Sequence, residues 1–179
     1  MRALLNFFSR ARDRSRHGAW IYNAIVDQAR RPQFYESFDV PDTLDGRFDL
    51  IVLHAGLYLP RLKSVPGEGK GLAQATFDQM LANLDQNLRE LGVGDATLPK
   101  KMKSMVQAFY GRATAYDAAL KAGDAQGLRE ALHRNVYRGA GVPQPKIDAL
   151  AAYVRAASEA LKAANDTDIL AGTFAWPAP

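Results

Sequence analysis

The chain contains no cysteine, which excludes disulfide bridges, thiolate metal sites and cysteine nucleophiles. That absence suits a reducing compartment. Histidine is scarce: only His17, His54 and His133 occur, with no His-x-x-x-His or Glu-x-x-His pair to bring metal ligands onto one helical face. No segment approaches the roughly 20 consecutive apolar residues that span a bilayer. The longest candidate, Leu50 to Leu59, is too short and carries His54. At the N-terminus, Leu4, Leu5, Phe7 and Phe8 form too small an apolar region for a secretory signal, and no small-residue cleavage site follows. No serine sits in a Gly-x-Ser-x-Gly context. Gly92-Val93-Gly94-Asp95 is not followed by the Lys-Ser/Thr of a phosphate loop and follows no strand. Alternating strand patterns, internal repeats and low-complexity linkers are missing too.

What is present is helical periodicity. With 179 residues and 47% hydrophobic content, the chain is long enough to bury one core. Trp20, Ile21, Ala24 and Ile25 open a first helix that stops before Pro32, and Phe34, Tyr35 and Phe38 mark a short second one. Val40-Pro41 then breaks the chain, and Asp42 or Thr43 can cap a third helix. That helix is apolar nearly all round (Leu50, Ile51, Val52, Leu53, Ala55, Leu59), as expected at the centre of a bundle, and Pro60 should kink or end it. Pro66 to Gly71 reads as a loop. A fourth helix stops at Gly92; a fifth starts near Thr97 or Pro99 and stops at Gly123. Asp124 caps a sixth, and a last helix runs from about Pro145 to Ala164. The apolar tail from Ile169 should pack back on the body. The expectation is an all-α, single-domain helical bundle of six or seven helices over residues 19–179, preceded by a basic amphipathic segment at 1–18.

The net charge of +4 is unevenly placed. Arg2, Arg10, Arg12, Arg14 and Arg16 crowd the first stretch against the single acid Asp13. Beside Leu4, Leu5, Phe7 and Phe8, the arginines Arg10, Arg12, Arg14 and Arg16 are candidates for contact with an anionic membrane surface. The same pattern is typical of a mitochondrial presequence. DNA is not expected as a partner, and an RNA-binding arm is the less favoured reading, because no aromatic stacking platform accompanies the basic run.

Among groups able to carry chemistry, His54 lies five residues after Asp49 and does not stack on it along a helix. It reads as a hydrogen-bonded structural or partner-contacting residue, with an unperturbed pKa of about 6.5 that leaves a proton-relay role open. Asp78, Asp85 and Arg89 share one helical stripe and read as an ion-pair ladder. Lys100, Lys101 and Lys103 form a basic first turn, unfavourable against the helix dipole and hence a hint of a binding surface. Met80, Met102 and Met105 fit the core or, as adaptable side chains, a groove. No catalytic residue and no cofactor is assigned.

Two polar blocks stand out from this plain helical background. One is Val40-Pro41-Asp42-Thr43 with Gly46-Arg47-Phe48-Asp49 and Leu53-His54. The other runs from Leu88-Arg89-Glu90 and Gly92-Val93-Gly94-Asp95 through Pro99-Lys100 to Phe109-Tyr110-Gly111-Arg112 and Tyr116-Asp117. Preceded by Arg30-Arg31-Pro32 and Phe34-Tyr35, these blocks in this order resemble the ubiquinol–cytochrome c chaperone family over roughly Tyr22 to Arg138. Leu81 and Leu98 depart from the family pattern but remain apolar. The resemblance implies a helical, non-enzymatic assembly factor for complex III (ubiquinol–cytochrome c reductase). Its mitochondrial members engage newly made cytochrome b with a small co-chaperone and associate with the ribosome. It implies a bacterial, cytoplasmic member that meets the inner membrane peripherally, with cytochrome b or another complex III subunit as client. Arg47, Asp49, His54, Arg89, Asp95, Lys100, Tyr110, Arg112, Tyr116 and Asp117 are the candidate partner-binding residues, arginine and tyrosine being frequent interface anchors. The competing expectation is a carrier for an apolar ligand such as a lipid, quinone or haem, with His54 the one plausible axial ligand. An enzyme would need a polar pocket around Asp49, His54 and Arg112.

Overall fold

The computed structural model describes residues 2–179, with side chains from residue 11 onward. Among these residues the chain forms eight helices and no strand: α1 (Arg2–Ala29), α2 (Gln33–Glu36), α3 (Leu44–Ser64), α4 (Gly69–Glu90), α5 (Leu98–Ala122), α6 (Ala125–Asn135), α7 (Gln144–Ala163) and α8 (Asp166–Ala171). The all-α bundle expected from periodicity is present, with α8 as one further short turn.

Local signals set most boundaries. The Thr43 hydroxyl accepts from the Gly46 N–H at 3.1 Å and opens α3, and the Asp124 carboxylate accepts from the Gly127 N–H at 2.8 Å and opens α6. Gly92 (φ +81°) and Gly123 (φ +65°) take the left-handed conformation that ends α4 and α5. The Asn165 side chain accepts from the Asp168 N–H at 2.8 Å and starts α8.

Three expectations are corrected. First, α1 does not begin at Trp20; it runs unbroken from Arg2, because its second half packs along α4. Gly18 makes this approach possible, since a Cβ there would lie 2.7 Å from the Ala75 backbone carbon. Secondly, Pro60 does not end α3, which continues to Ser64. Proline removes one donor, toward the Gly56 carbonyl, but the next residue is clamped. Arg61 donates to the Leu161 carbonyl (3.1 Å) and the Ala164 carbonyl (2.8 Å), and pairs with Asp166 (2.7 Å). Thirdly, the glycine-rich stretch is only partly a loop, because α4 already begins at Gly69.

Helix α3 is the axis of the fold. It packs on α1, α4, α5, α7 and α8, and Leu50, Val52, Leu53 and Leu62 are fully buried, as its all-round apolar pattern requires. The C-terminal segment packs back as expected. Trp176 lies edge-on to His54 (5.1 Å between centroids) and beside Tyr58 (5.9 Å), and the Tyr58 hydroxyl donates to the Ile169 carbonyl at 2.7 Å.

Candidate functional site

Helix α3 presents polar groups inward at two levels. At the first, Asp49 is buried and its carboxylate is held by two guanidinium groups. Arg112 of α5 donates through Nη1 to Oδ1. Arg138, from the turn between α6 and α7, donates through Nε to Oδ2 at 2.9 Å and through Nη1 to Asp45 Oδ2 at 2.8 Å. Burial pushes the Asp49 carboxyl above the usual carboxylate range, and the hydrogen bonds and charges of Arg138 and Arg112 pull it back. Arg112 also lies over the Phe48 ring, 5.9 Å from its centroid. Arg138 adopts a positive φ of 55°, uncommon for a non-glycine residue, so its side chain reaches Asp49 from a strained backbone. One turn beyond Arg112, the Tyr116 hydroxyl is buried without a hydrogen-bond partner among the described residues, and burial raises its pKa.

At the second level His54 is fully buried. Its Nδ1 lies 2.7 Å from the Leu50 carbonyl, which can only accept, so Nδ1 carries the proton. Nε2 therefore accepts from the Tyr153 hydroxyl at 2.8 Å, and that oxygen accepts from Gln28 Nε2 at 2.9 Å. The network is complete with a neutral imidazole. Burial drives the His54 pKa down to about 4, the Leu50 carbonyl opposing it. Phe34 and Trp176 stand edge-on against the ring at 5.1 Å each.

These facts correct several expected roles. Asp49, His54 and Tyr116 present no surface to a partner. Asp49 and His54 join helices internally, His54 thereby taking the hydrogen-bonded structural role rather than the partner-contacting one. Arg112 does the same with only a small exposed fraction, and Tyr116 is a core side chain. Both His54 nitrogens are engaged, so the axial-ligand role considered for it has no free nitrogen. Asp49, His54 and Arg112 line neither of the two clefts described below. No metal-binding cluster of histidine and carboxylate groups exists among the described residues.

The exposed candidates are scattered. Arg47 forks onto Asp42 (2.6 and 3.2 Å). Arg89 bridges Asp85 (2.7 Å) and Asp95 (2.6 Å), whereas Asp78, expected in the same ladder, accepts from Gln74 instead (2.7 Å). Lys100 is exposed in the first turn of α5. On α1, Arg12 is exposed, Arg16 pairs with Asp13 (2.7 Å) and Arg14 with Glu68 (3.2 Å). The Arg10 side chain lies outside the described residues.

Tyr110 and Asp117 come together in a feature that sequence reasoning missed. An open cleft of about 790 Å³ runs between α3, α4 and α5, with Arg14 of α1 at its edge. Its floor is aromatic: Phe77 and Phe109 lie 5.1 Å apart, Phe77 and Tyr110 5.6 Å, and Phe109 and Tyr110 5.3 Å. Tyr110 stays 55% exposed, unusual for a large aromatic side chain stacked on two others. Gly56, Ala73 and Ala113 line the same cleft and, being small, leave it unfilled. A shallower depression of about 530 Å³ between α1 and α4 shares Arg14, Gly71 and Gln74 with it. Met80 is core, and Met102 and Met105 pack against the core. The signal for the cleft was Phe77 on α4 and Phe109 on α5, apolar helical positions, with Tyr110 a candidate partner contact; nothing in the sequence marked the three as neighbours.

Comparison with known proteins finds relatives of this chain. Residues 36–176 match the family described as Ubiquinol-cytochrome C chaperone. The ubiquinol-cytochrome-c reductase complex assembly factor 1 of Xenopus laevis is 28% identical over 157 residues, spanning 87% of this chain and 78% of the frog protein. The human protein of that name is 27% identical over the same share of this chain, which spans 52% of the human length. The crystal structure of the Cbp3 homolog from Brucella abortus superposes with a TM-score of 0.84 at 38% identity, covering 98% of this chain and 97% of that one.

Proposed function

The chain belongs to the ubiquinol-cytochrome C chaperone family, and from that premise we propose that it is a non-enzymatic assembly factor for ubiquinol–cytochrome c reductase. In this reading it holds an apolar segment of a newly made subunit, cytochrome b, until the complex forms. The observation that carries the reading is the aromatic cleft. Tyr110 is half exposed on a floor of Phe77 and Phe109, beside a core whose buried polar groups are nearly all satisfied. A helix-in-groove contact uses such a surface: apolar area leaves water while the groove itself stays rigid. The relatives' shared description as assembly factors for that complex agrees with it.

The chain works peripherally at the membrane. No helix among the described residues is long and apolar enough to cross a bilayer, and the exposed Arg12 on α1 suits an anionic surface. The carrier reading asks for an enclosed apolar cavity, whereas the main cleft is open along α5.

The test is deletion of the gene in its host, followed by reduced-minus-oxidised haem spectra and ubiquinol–cytochrome c reductase activity of the membranes. Selective loss of the b-type signal and of activity, restored by the wild-type chain, is expected. Unchanged spectra and activity would contradict the proposal.

A further inference from the structure

The cleft carries a charge asymmetry that bears on what it accepts. Three cations gather at the turn between α3 and α4: Lys63 near the end of α3, Lys70 at the start of α4, and Arg14 of α1, which pairs with Glu68 inside that turn at 3.2 Å. Glu68 thus offsets Arg14. Lys63 and Lys70 are exposed and form no ion pair among the described residues. The one carboxylate lining the cleft, Asp117, is engaged by Lys121 at 2.7 Å. Two uncompensated ammonium groups therefore flank an aromatic floor.

We propose that Lys63 and Lys70 select the client segment: the cleft takes an apolar helix carrying aspartate or glutamate at one end, with that end against the α3–α4 turn. This rests on the cleft being the client site. The aromatic floor covers the helix's apolar face, and carboxylates meet the ammonium groups at the rim, where exclusion of water by the docked helix strengthens the attraction. A volume of about 790 Å³ corresponds to about two turns of a helix roughly 10 Å across. An anionic lipid would present similar charge, but an open floor widened by Gly56, Ala73 and Ala113 suits a helix better than a single acyl chain.

The experiment measures binding of fluorescent apolar helical peptides of roughly 20 residues in mild detergent, ending in Asp-Asp, Ser-Ser or Lys-Lys. The proteins are wild type, Lys63→Ser/Lys70→Ser and Tyr110→Ala. Wild type should bind the Asp-Asp peptide about tenfold more tightly than the Lys-Lys peptide, a preference that shrinks with added salt. The double serine variant should lose the preference yet bind the Ser-Ser peptide as wild type does, and Tyr110→Ala should weaken all three. Equal wild-type affinities would overturn the selection while leaving the cleft as the client site. Failure of every peptide to bind would remove both. If the lysine substitutions abolish sedimentation with phosphatidylglycerol vesicles but leave peptide binding untouched, the lysines serve lipid and the proposal falls.

Discussion

Helix α3 serves two regions of opposite character. Toward α5, α7 and the turn between α6 and α7 it presents Asp49 and His54, each enclosed and each held by named hydrogen-bond partners. Toward the cleft it presents Gly56, Leu59, Pro60 and Lys63, a surface of small and apolar groups with a cation that forms no ion pair among the described residues. Buried polar groups that are fully satisfied fix one arrangement of helices, and leaving one partner unpaired is costly. An open floor of aromatic rings contributes little to that rigidity and leaves apolar area still to be covered. The polar residues that look most like chemistry in the sequence are therefore structural, and the plainest aromatic positions form the surface available for binding.

The contrast can be broken from its rigid side first. Asp49→Ala leaves Arg112 and Arg138 facing each other without their carboxylate and should cost about 3–5 kcal/mol, read as a large fall in melting temperature, with Asp49→Asn milder. Next comes pH. His54 is neutral in the fold down to about 4 but protonates near 6.5 when unfolded, so its contribution is fully present above about pH 6.5 and is lost as pH falls toward 4. The loss should reach roughly 3 kcal/mol, seen as a declining denaturation midpoint that flattens in His54→Gln. Gly18→Val should cost about 1–3 kcal/mol by forcing α1 from Ala75, detectable by denaturant titration. Tyr110→Ala, which gives up the contacts with Phe77 and Phe109, should cost only about 1 kcal/mol, while weakening client binding. At the bottom of the order, Arg89→Ala, on the exposed ladder, should leave the denaturation midpoint essentially where it is in the wild-type chain.

The sequence carried the elements better than their meeting points. Asp124 was legible as a cap, Thr43 as one of two candidates with Asp42, and Gly92 and Gly123 as stops, because each acts within a few residues of itself. Pro60 misled, since the Arg61 clamp that keeps the helix going depends on Leu161, Ala164 and Asp166, about a hundred residues away in sequence. The same distance hid the site: Asp49 meets Arg112 across 63 positions and Arg138 across 89. Nothing around Arg138 beyond the neighbouring glycines announced its left-handed backbone. Tyr110 was legible as a candidate partner contact and Phe109 as part of a motif, but the cleft exists only through the packing of α3, α4 and α5 around it.

The most direct measurement compares Tyr110→Ala with the wild-type chain in a deletion background, scoring melting temperature of the purified protein alongside membrane ubiquinol–cytochrome c reductase activity. A melting temperature lowered by no more than about 4 °C, with activity close to that of the deletion strain, is the predicted result. Full restoration of activity by the folded variant would contradict the assignment of the cleft as the client site.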